Sequence, residues 1–347
     1  MKHELNTQKE YGMILLVLAI TLIFIAIPVS AITITDDAGM IITFNATPSR
    51  IVSLSPSNTE ILASLGLLDR VVGVTDVCDY PPGVKNKTRI GGYSSISIEK
   101  VAAVRPDLVI ASDLTPKETV ARLQEIGLPV VVVAPRNIDH MIRDIRMVGT
   151  LTATESRAER LITTLSDRIA AALPCPSTQG RRPTVAHIVW HKPLYVSGNN
   201  TLQNDVIIHA GGENVFADRS GWSTVSLEEF LMKNPDIIIV NGGGGMDALE
   251  KDVILEVFMT NPQYASLSAV KNNHVYAVKA DILSRPSPRI VNATEQVARL
   301  IHPECFTHAI ITSGATPITP VKSPGFCAGS MVLLISLIML KRRGRED

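Results

Sequence analysis

The chain has 347 residues, of which 46% are hydrophobic and 4% aromatic, enough for two α/β lobes that each bury a hydrophobic core. Lysine and arginine together number 33, and so do aspartate and glutamate, so the formal net charge is zero. A nucleic-acid-binding protein is disfavoured, because it would need a surplus of basic residues. The four cysteines form no C-x-x-C pair, so their spacing gives no support to a zinc or iron–sulfur site.

The amino-terminal segment combines a short charged stretch with an apolar run over residues 12–31. The run ends in Val29-Ser30-Ala31, which resembles a signal-peptidase site, so we predict a signal peptide over residues 1–31. A retained membrane anchor is the alternative, because the run is long enough to span a bilayer. A signal peptide would place the rest of the chain outside the cytoplasm.

Residues 32–150 alternate short apolar runs with amphipathic stretches and are predicted to form an N-terminal lobe. Alternating segments on both sides of Asp37-Ala38-Gly39 predict a hairpin. Short strands are predicted over residues 51–54, 71–74 and 130–133, with helical patterns between them. Strands that alternate with helices indicate a parallel sheet covered by helices.

A single long helix is predicted over residues 151–174, where apolar residues recur at helical spacing. Thr152-Ala153-Thr154-Glu155 resembles a capping box, and Pro174 ends the pattern. We expect this helix to be a rigid connector, because it lies between the two halves of the chain. Residues 182–304 repeat the strand–helix alternation as a C-terminal lobe, and the Thr-, Pro- and Ser-rich residues 305–324 are predicted as a linker.

Two stretches of similar sequence, residues 92–110 and 221–239, align without a gap. Each stretch has an aromatic residue, then a serine four positions later (Ser97 or Ser226), then a glutamate two positions after that serine. Further along, Pro-Asp precedes an aliphatic run. The serine is a suitable N-cap, and the glutamate falls in the first helical turn, where the helix dipole favours negative charge. Each unit is therefore predicted as an aromatic loop, a short helix, a turn at the proline and a core strand. The aromatic residues are Tyr93 and Trp222, and the glutamates are Glu99 and Glu228.

The carboxyl-terminal residues 325–347 contain a short apolar run followed by Lys341-Arg342-Arg343. The run is shorter than the ~20 residues of a usual transmembrane helix. Together with Ser323-Pro324-Gly325-Phe326 it resembles the PGF-type sorting signal of archaeal surface proteins, whose tail is removed and replaced by a lipid anchor. A plain membrane anchor is the alternative, and both interpretations attach an exported protein to the outer face of the cell membrane.

Several motifs between residues 33 and 301 resemble those of one known family. They are the two repeat units, Ser55-Pro56-Ser57-Asn58-Thr59-Glu60, Asp79-Tyr80-Pro81-Pro82, Ser197-Gly198, Gln203-Asn204, Ala210-Gly211-Gly212-Glu213-Asn214 and Ser287-Pro288-Arg289. Together they cover nearly the whole exported part, which is similar to the cobalamin and iron-complex (class III) family of substrate-binding proteins of ABC importers. Within that family the pattern most resembles that of members that bind vitamin B12.

The resemblance implies an α/β fold of two lobes with central, mostly parallel sheets, joined by one long rigid helix, with the ligand in the cleft between the lobes. It also implies that Glu99 and Glu228, one in each lobe, dock onto arginine pockets of the permease. The alternative is that both acids only stabilise a helix dipole, worth ~0.3–1 kcal/mol each. Docking is favoured because both copies keep the acid, whereas the next residue differs, Lys100 in one and Glu229 in the other.

The resemblance assigns ligand contacts to six residues in the cleft: Ser57, Tyr93, Tyr195, Trp222, Asp281 and Arg285. Tyr93 and Trp222 match aromatic residues that flank the flat macrocycle of cobalamin. Asp281 and Arg285 match polar residues that meet the amide side chains of the ligand. The alternatives are ordinary packing within a lobe for the aromatic residues, and a surface ion pair for Asp281 and Arg285.

The chain departs from vitamin B12-binding members at two positions. Val77 stands where those proteins have a tyrosine, and Ser112 stands where they have a tryptophan. The predicted pocket is therefore less aromatic, and a ferric siderophore, haem or a smaller corrinoid remains an alternative to cobalamin. Haem-binding relatives place a tyrosine oxygen on the iron, and Tyr93 could serve in this way.

We expect a binding protein rather than an enzyme, without catalytic residues, resident metal or cofactor. The sequence contains no evident nucleophile–base pair and no metal-ligand spacing. The expected partners are an ABC permease with its ATPase, and the expected cargo is a corrinoid or an iron complex. An exported metal-chelatase-like enzyme is the less favoured alternative. Cys175 and Cys305 could form a disulfide in an oxidising location.

Overall fold

The computed structural model describes residues 31–172, 181–243 and 252–306 of the chain. The predicted signal peptide, most of the predicted linker and the predicted carboxyl-terminal anchor lie outside these residues and stay predictions. Every helix within the described ranges is too short or too polar to cross a membrane. Both of the larger sheets belong to one compact unit, which extends to Cys305.

The described part of the chain begins with a β-hairpin. Strand β1 (Ile32–Thr35) pairs antiparallel with β2 (Ile41–Phe44), which confirms the hairpin predicted around residues 37–39. One carboxylate oxygen of Asp36 accepts two backbone hydrogen bonds within the turn. Its other oxygen accepts one from Val132 N at 2.9 Å, which attaches the hairpin to the neighbouring sheet.

Five parallel strands form the N-terminal sheet. They are β3 (Ile51–Ser53), β4 (Val71–Val74), β5 (Thr88–Arg89), β6 (Leu108–Ala111) and β7 (Val130–Val132). Their order across the sheet is β5-β4-β3-β6-β7, so β3 lies at the centre. Every residue of β3 and β6 is buried, because helices cover both faces of a parallel sheet; this explains the uninterrupted aliphatic run of β6.

The C-terminal sheet is mixed. Its strands are β8 (Thr184–His191), β9 (Leu194–Ser197), β10 (Glu213–Asn214), β11 (Trp222–Thr224), β12 (Ile237–Gly242) and β13 (Val275–Lys279). The order is β11-β9-β8-β12-β13, with β10 also on β8, and β9 runs antiparallel to both its neighbours. Phe230 packs beneath this sheet against Phe216 and Phe258, with ring centroids 5.8 and 5.6 Å apart.

Helices alternate with the strands in both halves, which confirms the predicted α/β fold. Those in the first half are α1 (Pro56–Ser64), α2 (Ile98–Ala103), α3 (Lys117–Glu125), α4 (Ile138–Leu151) and α5 (Glu155–Ala171). Those in the second half are α6 (Leu202–His209), α7 (Leu227–Lys233), α8 (Val253–Thr260), α9 (Ser268–Lys271), α10 (Ala280–Leu283) and α11 (Ile290–Ile301). Short 3-10 helices cover residues 68–70, 82–86, 262–264 and 303–305.

The two copies of the sequence repeat fold alike. Ser97 and Ser226 cap α2 and α7, and each hydroxyl accepts a hydrogen bond from the backbone N–H three residues later. Arg105 and Asn234, the residues before the two prolines, both have positive φ (44° and 38°) and turn the chain towards β6 and β12. The copies differ in one respect: Trp222 opens β11, whereas its counterpart in the first copy lies in a loop.

Helix α5 occupies the place of the predicted connector but is shorter than residues 151–174. It has 17 residues and is about 26 Å long. The predicted capping box is wrong, because Thr152 ends α4 and its hydroxyl donates to a carbonyl of that helix. Ala153, with φ of 52°, separates the two helices.

Helix α5 contacts α4 and α11, and Arg168 Nε donates to Glu295 Oε1 at 2.9 Å. Its role as a single rigid connector stays a prediction.

Two of the four cysteines lie in the described part of the chain. Cys78 is a buried free thiol, whereas Cys305 is disulfide-bonded. Cys175 lies outside the described residues, so the pairing of Cys175 with Cys305 stays a prediction.

Candidate functional site

The carboxyl ends of the parallel strands meet at one edge of the N-terminal sheet. Ser57 follows β3, Val77 follows β4, Tyr93 follows β5, and Ser112 follows β6 directly. Open α/β sheets bind ligands outside the carboxyl ends of their strands. This edge is therefore the N-terminal side of the candidate site, and it contains two of the six residues predicted to contact the ligand.

Ser57 lies in a buried and well-anchored turn. Ser55 caps α1 by accepting a hydrogen bond from Asn58 N, and its hydroxyl lies 3.1 Å from that of Ser57. The Asn58 side chain donates to the carbonyls of Ala111 (2.9 Å) and Val133 (3.3 Å), at the ends of β6 and β7. Ser57 itself is only 8% exposed, so it offers a ligand little more than its hydroxyl.

Tyr93 is half-buried at the same edge. Burial raises the pKa of its hydroxyl to about 12, and the neighbouring Ser112 hydroxyl opposes part of that rise. Val77 is 44% exposed, whereas Ser112 is buried. This edge of the sheet thus carries one aliphatic and one small polar residue at the two positions where the family resemblance predicts aromatic rings.

Trp222 and Tyr195 lie on neighbouring strands of the C-terminal sheet. Trp222 pairs with Ser197, and Thr224 pairs with Tyr195, so the two aromatic side chains lie on the same face of the sheet. Trp222 is 49% exposed, and its Nε1 donates to Gln203 Oε1 at 3.2 Å. The polar edge of the indole is thereby held, while much of the ring remains open to solvent.

A short chain of hydrogen bonds links Trp222 to the boundary between the lobes. Gln203, which accepts from the indole, also donates through Nε2 to Ser284 Oγ at 3.2 Å. Ser284 ends the turn that follows β13 and precedes the residues that reach the N-terminal lobe. On the same helix as Gln203, Asp205 Oδ2 accepts a hydrogen bond from Ile138 N at 3.0 Å. The exposed indole is therefore within two side chains of the interface between the lobes.

Arg285 crosses that interface. Its Nη1 lies 2.7 Å from Asp79 Oδ1 and 3.2 Å from Glu60 Oε1, and its Nη2 lies 2.7 Å from Asp281 Oδ1. Burial opposes the charge of Arg285, but the three carboxylates outweigh burial and raise the pKa of the guanidinium. Burial likewise opposes the charge of Asp79, but Arg285 lowers the pKa of that carboxyl below its usual value. The structure brings Asp281 and Arg285 together as an ion pair, and a ligand contact from either stays a prediction.

Glu60 is the buried centre of the contacts between the lobes. It is 2% exposed, and its Oε2 accepts hydrogen bonds from Ser287 Oγ at 2.5 Å and Arg289 Nε at 2.8 Å. The Tyr80 ring lies 4.2 Å from Arg289 Cζ and covers the guanidinium with its face. None of these four residues was among the predicted site residues, although all belong to motifs that carry the family resemblance. The available signal was the position of Glu60 directly before the apolar residues of α1, which indicates a buried acid that needs a basic partner.

Glu99 and Glu228 are both exposed in the first turns of α2 and α7. A backbone hydrogen bond and the Ser97 hydroxyl, which donates to Glu99 Oε2 at 2.8 Å, lower the pKa of Glu99. Among the described residues neither glutamate has an ion-pair partner, whereas the adjacent Glu229 pairs with Arg219 at 2.6 Å. The two acids are thus available to a partner protein, and docking stays a prediction.

His187 lies in the C-terminal sheet and is completely buried. Its Nε2 lies 3.1 Å from Asn241 Oδ1, which can only accept, so Nε2 carries the proton. Its Nδ1 then accepts from the Ser197 hydroxyl at 2.8 Å. Burial lowers the pKa of this imidazole to about 4, so the neutral ring is the folded-state form.

We expect the free energy of unfolding to fall by up to about 3 kcal/mol between pH 7 and pH 4 because of His187. The unfolded chain binds this proton near pH 6.5, whereas the folded chain binds it only near pH 4, so protons favour unfolding within that window. Urea denaturation at several pH values should show a weaker pH dependence for His187→Gln than for the wild type. His274→Gln, at an exposed position, is the control. An equal pH dependence in all three proteins would contradict this account.

The structure brings together only part of the predicted set. Trp222 and Tyr195 share a sheet face, and Asp281 pairs with Arg285. Among the described residues, no hydrogen bond, ion pair or ring contact joins Ser57 or Tyr93 to these four. Of the six predicted ligand residues, Arg285 is the one with a side-chain contact to the other lobe among the described residues, through Glu60 and Asp79.

The sequence pattern of the family described as "Periplasmic binding protein" matches residues 51–282, from β3 to α10. The chain belongs to this family. The chain is 30% identical over 284 residues to the uncharacterized ABC transporter substrate-binding lipoprotein YvrC of Bacillus subtilis (strain 168). That match covers 79% of this chain and 87% of YvrC. The predicted family resemblance is confirmed.

Solved structures of relatives confirm the two-lobed α/β fold of this periplasmic binding protein. The vitamin B12 binding protein BtuF of Vibrio cholerae matches with a TM-score of 0.62 and 28% identity, over 74% of this chain and 97% of BtuF. The heme-binding protein RhuT of Roseiflexus sp. RS-1 matches with a TM-score of 0.65 and 27% identity, over 74% of this chain and 99% of RhuT. The two relatives differ in their ligands but are nearly equally similar to this chain, so similarity alone does not select the ligand.

Proposed function

We propose that this periplasmic binding protein captures cobalamin or a related corrinoid outside the cell membrane and delivers it to an ABC permease and its ATPase. The observation that most supports this role is the repeated unit. Each copy combines an aromatic residue with an exposed glutamate in the first turn of a serine-capped helix. The name of YvrC, a substrate-binding lipoprotein of an ABC transporter, supports the same role.

The aromatic residues favour a flat ligand. Trp222 offers an open ring face while Gln203 holds its polar edge, and Tyr195 lies on the same face of the sheet. Tyr93 would face the ligand from the N-terminal side. Such rings suit the edge and face of a macrocycle, because they bury a large apolar area in a fixed orientation. The remaining polar contacts would come from Ser57, Asp281 and Arg285, which we propose as ligand residues.

Haem or a ferric siderophore is the second candidate, because RhuT binds heme and because Val77 and Ser112 reduce the aromatic character of the site. Two observations weigh against it. The raised pKa of Tyr93 disfavours the phenolate that would bind ferric iron. An anionic chelate would also need unpaired positive charge, whereas Arg285 is already paired with three carboxylates and Arg289 with Glu60.

We propose that the protein is tethered to the outer face of the membrane. The predicted signal peptide at residues 1–31 would export the chain, and the predicted sorting signal or anchor at residues 325–347 would attach it. Attachment keeps the binding protein near its permease, which raises the effective concentration of the docking surface. Mass spectrometry of the mature protein from its own membrane would test both termini.

The ligand is tested by calorimetry of the full-length protein with cyanocobalamin, cobinamide, haem and a ferric siderophore side by side. We expect stoichiometric binding of a corrinoid, at least about tenfold tighter than haem, which corresponds to about 1.4 kcal/mol. Binding of haem or siderophore alone would overturn the proposal that the ligand is a corrinoid, but it would not contradict the transport role. Insertion or removal of the metal of a tetrapyrrole during the incubation would favour the chelatase-like enzyme.

Replacing Trp222 by alanine should weaken binding of the best ligand by ~1–3 kcal/mol, because a stacking face is removed. Titration calorimetry measures the difference. Trp222→Phe is the matched variant, since it keeps a smaller aromatic face and loses the hydrogen bond to Gln203, and it should retain most of the affinity. Unchanged affinity in Trp222→Ala would assign this residue to packing within the lobe.

A further inference from the structure

Asp37, His140 and Asp144 form a compact polar cluster between the N-terminal hairpin and α4. Asp37 lies in the hairpin turn, and the other two lie one helical turn apart on α4 and so share a face. His140 Nε2 is 2.7 Å from Asp37 Oδ1 and 3.6 Å from Asp144 Oδ1. One potential ligand atom from each residue lies within 4.8 Å of the other two. None of these three residues is among those predicted to contact the ligand, and their hairpin is attached at the edge strand β7.

Asp144 has an unusual environment for a carboxylate. It is 3% exposed, and its Oδ2 has no hydrogen-bond partner within the described part of the chain. A buried carboxylate with one unbonded oxygen is costly, the imidazole 3.6 Å from its Oδ1 balances the charge only when it is protonated, and the nearby Asp37 carboxylate adds repulsion. The charge must therefore be balanced either by a proton or by a bound cation.

Asp37 is already oriented for such a role. Its Oδ2 accepts a hydrogen bond from Ala134 N at 2.5 Å, which fixes the carboxylate and directs Oδ1 towards His140. One imidazole nitrogen with two carboxylate oxygens is a donor set that suits Zn²⁺, whereas Ca²⁺ and Mg²⁺ prefer oxygen ligands alone. Ligand atoms around a tetrahedral Zn²⁺ are roughly 3.3 Å apart, given bond lengths of about 2.0 to 2.1 Å. The observed separations of 2.7 and 3.6 Å lie on both sides of that value, so small side-chain shifts would admit the ion.

We propose that Asp37, His140 and Asp144 bind one Zn²⁺ ion, which fastens the N-terminal hairpin to α4. The ion would supply the positive charge that the buried Asp144 lacks. Asp36 and Asp37 already attach the hairpin to the sheet by accepting backbone hydrogen bonds. The ion would attach the hairpin to α4 as well. A water molecule would complete the coordination, as the protein offers three ligands here.

The test uses full-length protein stripped of metal with EDTA and then dialysed against buffer containing Zn²⁺. We expect about one zinc per chain by elemental analysis and a melting temperature raised by at least about 3 °C. Asp144→Asn and His140→Asn should each weaken Zn²⁺ binding at least about tenfold, which is typical of losing one ligand or its orientation. Without zinc, Asp144→Asn should melt at or above the temperature of the wild type, because the variant no longer buries an ionisable carboxyl beside the Asp37 carboxylate. Mn²⁺, Ca²⁺ and Mg²⁺ should bind more weakly.

Matched controls separate this site from adventitious binding. Asp139→Asn changes an exposed acid on the same helix, and His274→Asn removes an exposed imidazole elsewhere; both should bind zinc as the wild type does. X-ray absorption at the zinc edge should show nitrogen and oxygen ligands only. A sulfur ligand, an absence of saturable zinc binding, or equal binding by the Asp144 and His140 variants would each overturn the proposal. The last two results would leave a proton on Asp144 as the balancing charge.

Discussion

Cells that carry Glu99→Arg and Glu228→Arg together should lose ligand uptake, while the purified variant binds its ligand almost as tightly as the wild type. Both glutamates are exposed, in equivalent first turns, and neither has an ion-pair partner among the described residues. If each docks into a basic pocket of the permease, the reversal replaces attraction by like-charge repulsion, which costs several kcal/mol. Uptake of labelled cobalamin, or of the ligand that calorimetry identifies, measures the effect.

The control for this experiment is a second pair of charge reversals, Glu125→Arg and Glu256→Arg. Both positions are exposed and lie on helices of the two lobes, α3 and α8, outside the repeated residues 92–110 and 221–239. The control should transport normally. Stability should fall little in the test variant, since solvent screens the interaction of an exposed acid with a helix dipole. Normal uptake by the test variant would show that docking does not depend on these acids and would return them to a capping role.

The largest loss of stability is expected from Glu60→Ala, which should lower the free energy of unfolding by ~3–5 kcal/mol. The substitution leaves Arg289 without its carboxylate and deprives Ser287 of its acceptor, in a region where little water can replace them. It also removes one of the carboxylates that hold Arg285 across the lobe boundary. Urea denaturation followed by circular dichroism measures the loss.

Glu125→Ala is the control, because an exposed glutamate of this kind should change stability by no more than about 0.5 kcal/mol. A double-mutant cycle with Glu60→Gln and Arg289→Met separates the coupling of the pair from the cost of leaving one partner buried alone. A loss below about 1 kcal/mol for Glu60→Ala would mean that water enters and solvates Arg289. Glu60 would then be a minor contact rather than the centre of the lobe interface.

Much of the fold could be predicted from local sequence, because its signals act over a few residues. Ser97 and Ser226 cap their helices as predicted, since a serine hydroxyl needs only the N–H groups of the next turn. The hairpin at Asp37-Ala38-Gly39 depends on the left-handed φ of Gly39, which a turn residue provides without distant help. The aliphatic run of β6 marks a strand buried on both faces.

The helix before the C-terminal lobe shows where local signals do not decide. Thr152 can cap the following helix or end the preceding one, and both choices satisfy its hydroxyl. Packing selects the second, because α4 and α5 approach so closely that a side chain at Gly149 would lie 2.6 Å from the Ala158 Cβ. The position of the helix was therefore predictable, whereas its start depended on contacts between two helices.

The sequence alone determined the family, the α/β fold, the duplicated unit and the exposed acids at its helix starts, because each depends on residues close together in the chain. The tertiary structure decided which polar groups meet. Glu60 and Arg289 are 229 positions apart, and Asp37 and His140 are 103 positions apart. Neither pairing has a spacing that a sequence pattern can reveal, since both arise only when separately formed helices and strands pack. That packing changed Arg285 from a free ligand residue into a bridge between the lobes and placed two acids beside His140.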